Sequence, residues 1–393
     1  MRIGVDVTCW ANRRGYGRFT RGLLNALFAV DRGHDFVLFT DTQSYAHSQL
    51  PAGVPCVVVP TARGATEAAS ADGRRSLGDM WAMQTAVARS PLDVLFFPSV
   101  YTYFPVLTRP TVILGVHDVI AEDYPDLIFP NRHHRRLWAL KSWLAHRRAN
   151  YVLTVSDYAK QGIIRHFRHR PDRVWVIDEA PDPVFRPLDS GQIDRQLLAR
   201  YGLALEDRFL IYLGGVNPHK NLGALIDTLA ALRRQPAYAD VRMLIVGDFQ
   251  TDVFTPGYVA LQERIQALDL AGAVVFTGFV PDAEVVHLLN AALMLVLPSF
   301  AEGFGLPAVE AAACGTPVVA TSNSSLPTLL AGAGLFFDPH KPAQLTAAIE
   351  RLLGDQPERL RMGRIARERA SRLVWDRAAE QMIGLLAEVE RSQ

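Results

Sequence analysis

Two carboxylates, Glu302 and Glu310, frame the string Pro298-Ser299-Phe300-Ala301-Glu302-Gly303-Phe304-Gly305-Leu306-Pro307-Ala308-Val309-Glu310. The string follows an apolar run at 294–297 and leads into a helix. Pro307 suits the first helical turn, where its fixed φ is preorganised and its missing N–H has no intrahelical role. The amides around Gly303, Phe304, Gly305 and Leu306 then sit at a helix N-terminus, a place suited to holding an anion. Gly303 and Gly305 let backbone approach a ligand closely. A phosphate on the amides and sugar hydroxyls on the two carboxylates form one coherent chemistry. A structural turn with two surface acids is the plainer alternative.

Four further constellations bear on chemistry. In Tyr212-Leu213-Gly214-Gly215-Val216-Asn217-Pro218-His219-Lys220-Asn221-Leu222 a strand ends in a glycine-rich loop. Lys220 there stands beside the next helix and could neutralise a pyrophosphate. Asn12-Arg13-Arg14-Gly15-Tyr16-Gly17-Arg18-Phe19 forms the loop after the first strand, with Gly17 as the expected point of close approach. Gly115-Val116-His117-Asp118-Val119 puts a polar pair at the C-terminal end of a strand, where open α/β sheets bind ligands. Phe276-Thr277-Gly278-Phe279-Val280-Pro281 is a strand-to-helix turn. The basic stretch 132–148 carries Arg132, Arg135, Arg136, Lys141, Arg147 and Arg148 with Trp138, Trp143 and Leu144 interleaved. It reads as a solvated basic helix, with anionic lipid head groups or a lipid-phosphate acceptor as the other reading.

The elements that must position these residues are strands and helices in alternation. Apolar runs at 3–7, 36–39, 54–59, 94–98, 111–116, 151–155 and 174–177 predict strands in the first half. Runs at 209–213, 241–246, 274–277, 294–297, 317–320 and 335–337 predict them in the second. They do not alternate with polar residues, as expected of parallel strands covered on both faces. Leu222, Leu225, Ile226, Leu229 and Leu232 share one face of a helix for which Asn221 is the expected N-cap. The repeat implies two doubly wound, Rossmann-like sheets. Neither half carries GxGxxG after its first strand, so nicotinamide and flavin binding lack support. Two prolines in Glu179-Ala180-Pro181-Asp182-Pro183 mark the break. The expected domains are 1–181 and 182–375, with a final helix at about 376–393 returning to the first.

The chain has 393 residues and a formal net charge of +1, with three cysteines at Cys9, Cys56 and Cys314. That length suits two α/β domains. Bulk charge gives no support to a polyanion binder, and no nucleic-acid module is visible. No cysteine or histidine spacing suggests zinc, and the odd cysteine count suggests a reducing compartment. No apolar run reaches the length of a membrane span. The expectation is a cytoplasmic protein, with peripheral contact at the inner face of a membrane left open.

The string Glu-Gly-Phe-Gly-Leu-Pro-x-x-Glu, followed by Ala311 to Val319, closely resembles the E-x7-E signature of the family-4 retaining glycosyltransferases, and the likeness extends over nearly the whole chain. The resemblance implies an α/β chain of GT-B fold, two Rossmann-like domains facing each other across a cleft. The N-terminal domain would bind the acceptor and the C-terminal one the nucleotide-sugar donor. It implies that Glu302 contacts the donor sugar near the reacting centre, Glu310 the ribose hydroxyls, and the backbone of Gly303, Phe304, Gly305 and Leu306 sugar hydroxyls and phosphate. His117 would contact the transferred sugar as a catalytic residue. Asp118 and Tyr16 would stand on the acceptor side. Gly17 and Arg18 would border the diphosphate, and the turn at Val280 the nucleobase. The Lys220 loop matches the family's G-x-x-x-P-x-K-N. Gly215 stands where many members have a second phosphate-binding arginine, and His219 where arginine is also common; Arg18 could supply the missing cation. The implied activity is metal-independent, cofactor-free transfer from a nucleotide diphosphate sugar, with a lean to GDP-mannose, to a carbohydrate or lipid-linked hydroxyl in polysaccharide or glycolipid biosynthesis. An epimerase or phosphorylase-like enzyme on the same scaffold, and a non-catalytic sugar-nucleotide-binding relative, are the alternatives.

Overall fold

The computed structural model describes residues 1–13, 15–62, 64, 76–249 and 255–392. Arg14, within the first loop's basic run, lies outside the described residues. The chain divides into two units, Met1–Glu179 with Val374–Gln393, and Ala180–Leu373.

The first unit is built on seven strands: β1 (Arg2–Asp6), β2 (Asp35–Asp41), β3 (Cys56–Val59), β4 (Val94–Phe97), β5 (Thr111–Gly115), β6 (Tyr151–Thr154) and β7 (Val174–Val176). Their order is β3-β2-β1-β4-β5-β6-β7, and every pair is parallel. Leu95, Phe97, Val112, Leu114 and Val152 are buried because helices cover both faces. The helix Trp375–Arg391 belongs to this unit. Its Trp375 packs edge-on against Phe19 at 6.2 Å, and Gly22 of the helix Gly15–Val30 leaves room for the Trp375 ring. Gln381 secures the helix by accepting from the Asp178 amide (2.9 Å) and donating to the Asp178 carboxylate (3.0 Å).

The second unit has β8 (Phe209–Leu213), β9 (Arg242–Val246), β10 (Val274–Gly278), β11 (Met294–Leu297), β12 (Val318–Thr321) and β13 (Gly334–Phe337), in the order β10-β9-β8-β11-β12-β13 and again parallel. Each sheet therefore has a topological switch point, between β1 and β4 in one and between β8 and β11 in the other. Ligands of open α/β sheets bind beyond the carboxyl ends of the strands at such points. Among the described residues, no helix is long and apolar enough to cross a membrane.

Candidate active site

In the second unit the loops after β8 and β11 flank the switch point and are stitched together. The Phe300 amide donates to the His219 carbonyl (2.9 Å), and Asn221 Nδ2 donates to the Pro298 carbonyl (3.1 Å). This second bond corrects the N-cap expected of Asn221. The residue does precede the helix Leu222–Arg233, but with φ 55° and ψ 35° it is left-handed and makes no side-chain cap. Its amide is spent on the neighbouring loop instead.

That stitching sets the central geometry. Lys220 Nζ lies 2.8 Å from Glu302 Oε1, and Ser299 Oγ donates to the same oxygen at 2.6 Å. The Glu302 amide donates to the Asn323 carbonyl at 3.1 Å, fixing the loop from below. Glu302 and Glu310 are both buried, which removes the reading of two surface acids. Burying a carboxylate is costly without a compensating partner. For Glu302 the partner is a lysine ammonium.

The helix after the turn runs Leu306–Cys314 with Gly305 as its N-cap at φ +87° and Pro307 in the first turn. A side chain at position 305 would be strained in φ, and its Cβ would come within 2.8 Å of Leu326. Glycine is thus needed to start this helix directly after the loop. The helix dipole directs partial positive charge at the same end. Ser325 Oγ holds the Phe304 carbonyl at 2.9 Å.

His219 contributes no charge. Burial, with Lys220 adjacent, pushes its pKa down to about 3, and its Nδ1 is buried without a hydrogen-bond partner. Gly215 accepts at its carbonyl from the Tyr212 hydroxyl (2.7 Å). Lys220 is therefore the cation that this loop brings to the switch point. Val280 follows β10 with its side chain buried, so only its backbone is available to a ligand, while Phe279 beside it is half exposed.

In the first unit, His117 follows β5. Its Nε2 lies 2.9 Å from the Pro98 carbonyl, an acceptor only, so that nitrogen carries a proton. Nδ1 faces Glu179 Oε1 at 3.4 Å, and the Phe19 ring meets the imidazole edge-on at 4.8 Å. Burial pulls the pKa of His117 down, but the Glu179 carboxylate, the Pro98 carbonyl and Asp118 more than offset it, and the result is raised. Both nitrogens of His117 face protein groups, an arrangement unsuited to proton abstraction. Asp118 Oδ1 accepts from the Ile120 amide at 3.0 Å and so shapes the loop.

Gly17 is buried near the start of the helix Gly15–Val30, where the Asn12 and Cys9 carbonyls fill the space a side chain would need. The loop's own backbone therefore already requires a glycine at this position. Arg18 is partly buried on the same turn. Tyr16 accepts a hydrogen bond from Asn12 Nδ2 (2.6 Å), and its ring stands 5.5 Å from that of Tyr101.

Sequence reasoning singled out neither Glu179 nor Tyr101, and it used Ser299 only as part of a string. Glu179 appeared solely in the break between domains. Nothing in its local sequence connects it to His117; the sheet brings them together. Among the described residues, no group of three His, Cys, Asp or Glu side chains is placed to hold a metal ion.

Comparison with known proteins adds three findings. Residues 13–183 match the family described as Glycosyltransferase Family 4, and residues 194–369 the one described as Glycosyl transferases group 1. The O-antigen chain mannosyltransferase B of Escherichia coli is 31% identical over 239 residues, 60% of this chain and 60% of that protein. The chain thus matches less than two thirds of that relative's length. Among solved structures, sucrose-phosphate synthase from Thermosynechococcus elongatus superposes with a TM-score of 0.76 at 19% identity, covering 100% of both chains. Anabaena Alr3699/HepE in complex with UDP-glucose gives 0.74 at 21% identity, covering 99% of this chain and 100% of that one. At such identities the likeness is one of fold, the GT-B fold of two parallel-sheet α/β domains.

Proposed function

The chain belongs to the family-4 glycosyltransferases, and on that premise we propose that it moves a hexose from a nucleotide diphosphate sugar to a hydroxyl acceptor, with retention, in polysaccharide or glycolipid biosynthesis. The observation that carries the proposal is the Lys220–Glu302 pair at the β8/β11 switch point, beside the N-terminus of the helix Leu306–Cys314. A departing nucleoside diphosphate needs cationic and N–H stabilisation where its charge develops. Lys220 and the turn of Gly303, Phe304, Gly305 and Leu306 offer both.

Glu302 then addresses the donor sugar, Glu310 the ribose hydroxyls, and the backbone at Gly215 and Val280 the phosphate loop and the base. Gly17 and Arg18 border the diphosphate. His117, positioned by Glu179, serves the transferred sugar, and Asp118 and Tyr16 stand on the acceptor side. A same-face transfer, in which the departing phosphate oxygen helps deprotonate the acceptor, needs no protein base and no metal. That agrees with a histidine whose nitrogens are already committed. The mannosyltransferase relative favours GDP-mannose, while the fold relative that binds UDP-glucose keeps a uridine donor in the comparison. A thermal-shift screen of GDP, UDP and their sugars tests the donor. A ligand at about 100 times its Kd stabilises the fold by roughly 2.7 kcal/mol. Failure of every nucleotide sugar to shift the transition would sink the proposal.

A further inference from the structure

The first unit contains a pocket of about 580 Å³ that the transfer reaction as described does not use. Its volume falls within the range of small-molecule sites. It lies among the short helices Ile120–Asp123 and Pro125–Ile128, the helix Arg132–Arg148 and the end of the helix Asp157–Phe167. Phe129, Trp138 and Trp143 give it aromatic walls, and Arg135, Arg147 and Arg168 are among its lining residues. Glu122 is the one carboxylate among its lining residues, and it accepts from Trp138 Nε1 at 2.9 Å. His166, also at the wall, is 2.7 Å from Asp123. Arg135 reaches Asp126 only at 3.9 Å, with both side chains largely exposed, and Arg147 lies over the Trp143 ring at 5.6 Å. The lining therefore combines flat apolar faces with net positive charge, a pairing that suits an amphipathic anion.

The pocket also adjoins the recess beside His117 and Asp118 across a shared wall. A smaller recess of about 10 Å³, room for roughly one water molecule, includes His117, Asp118 and Tyr101 among its walls. It shares Ala121, Glu122 and Trp138 with the large pocket. Aromatic rings connect the same points: Tyr16 to Tyr101 at 5.5 Å, Tyr101 to Trp138 at 5.1 Å, and Trp138 to Phe129 at 6.3 Å. Lys141 Nζ ties the track down by donating to the Tyr101 carbonyl at 2.6 Å.

We propose that this pocket binds a phosphate ester borne by the acceptor, with the phosphate on Arg147 and Arg168, which close the same end of it, and the attached apolar or ring portion against Trp138, Trp143 and Phe129. This deepens the transferase reading and rests on it for the identity of the ligand as an acceptor. The Glu122–Trp138 contact separates the anion from His117 and Asp118, so the acceptor hydroxyl and its phosphate occupy different ends of one track.

The test is calorimetric and needs neither donor nor turnover. n-Octyl phosphate, inorganic phosphate and n-octyl glucoside are titrated into the full chain and into Arg147→Ala/Arg168→Ala. The two arginines are exposed, and an unchanged melting temperature verifies the fold. Octyl phosphate should bind the wild type, octyl glucoside at least about tenfold more weakly, and the double variant should lose about tenfold in affinity for octyl phosphate, the scale of lost charge-assisted contacts. A Trp143→Ala variant should weaken octyl phosphate but leave inorganic phosphate unchanged. Equal binding of inorganic and octyl phosphate would overturn the claim that the aromatic walls take part. Binding to phosphatidylglycerol vesicles without binding to monomeric octyl phosphate would assign the arginines to a membrane surface and overturn the pocket. No octyl phosphate binding by a chain that still binds a nucleoside diphosphate would sink the pocket alone. Octyl phosphate binding by a chain without transfer would sink the transferase reading and leave a phosphate-ester site.

Discussion

Replacing Glu302 by glutamine should separate binding from chemistry in an uncommon direction. Glu302 Oε1 holds Lys220 at 2.8 Å and Ser299 at 2.6 Å, with side-chain exposures of 21% for Lys220 and 11% for Glu302. The bare attraction of a pair at that distance is about 6 kcal/mol at an effective dielectric of roughly 20. Desolvation and solvent screening at the lysine leave a net of about 1.5–3 kcal/mol for a hydrogen bond between charged groups. A diphosphate must share the lysine with this carboxylate and bear its repulsion. Glu302→Gln keeps the shape and the Ser299 contact but releases the ammonium. The affinity for a nucleoside diphosphate should therefore rise by roughly 1.4 kcal/mol, or tenfold. Turnover should fall at least about tenfold, because the carboxylate is assigned to the sugar in the transition state. Calorimetry with GDP and UDP, paired with turnover or donor hydrolysis, reads both. Weaker diphosphate binding would show that Glu302 does not restrain Lys220, and near-normal turnover would remove it from the chemistry.

Lys220→Ala should act in the opposite sense, weakening nucleoside diphosphates far more than nucleosides; equal weakening of both would contradict the phosphate role. Glu179→Gln tests the upward pull of Glu179 on the His117 pKa. The folded pKa of His117 is raised above its ordinary value, so this stabilisation is complete below about pH 6.5 and is lost as pH rises through the folded value. The variant should accordingly be less stable than wild type near pH 6 and converge with it at alkaline pH, and a pH-independent gap in urea unfolding would deny the coupling. Gly305→Ala should cost about 1–3 kcal/mol of unfolding free energy through the positive φ and the Leu326 contact; a loss under about 0.5 kcal/mol would show that the turn can relax.

Much of the fold was legible because parallel strands buried on both faces leave uninterrupted apolar runs. β8 and β11 sit where those runs predict them, Phe209–Leu213 and Met294–Leu297. The ends slip where polar residues carry the ladder on. β2 begins at Asp35 and ends at Asp41, beyond its apolar run, and Asp41 then caps the next helix. The site is different in kind. Glu302 and Lys220 are legible one by one as residues beside strand ends, but their ion pair depends on loops from two strands that are neighbours only in the sheet. Asn221 looks like a cap from its type and place, and its left-handed backbone turns the side chain to Pro298 instead. Gly17 reads from sequence as a point of close approach, and the Asn12 and Cys9 carbonyls packed against it, invisible in the sequence, require a glycine there as well. The Glu179–His117 and Tyr101–Trp138 contacts have no local signal, because the two members of each lie on separate elements. For the same reason the stretch from Arg132 read as a basic helix with its charge spread around it, while Arg168 and the rest of the pocket wall come from other parts of the unit.

The central claim is tested most directly by whether an acceptor drives release of the nucleoside diphosphate. The full chain is incubated with GDP-mannose or UDP-glucose, with and without a phosphate-linked sugar acceptor, and the products are followed by mass spectrometry and by proton NMR of the anomeric centre. A family-4 transferase should release one diphosphate per new glycoside, retain the donor's anomeric configuration, and lose this activity in Glu302→Gln. Interconversion of the donor sugar without acceptor, or tight nucleotide binding with neither transfer nor hydrolysis, would contradict it.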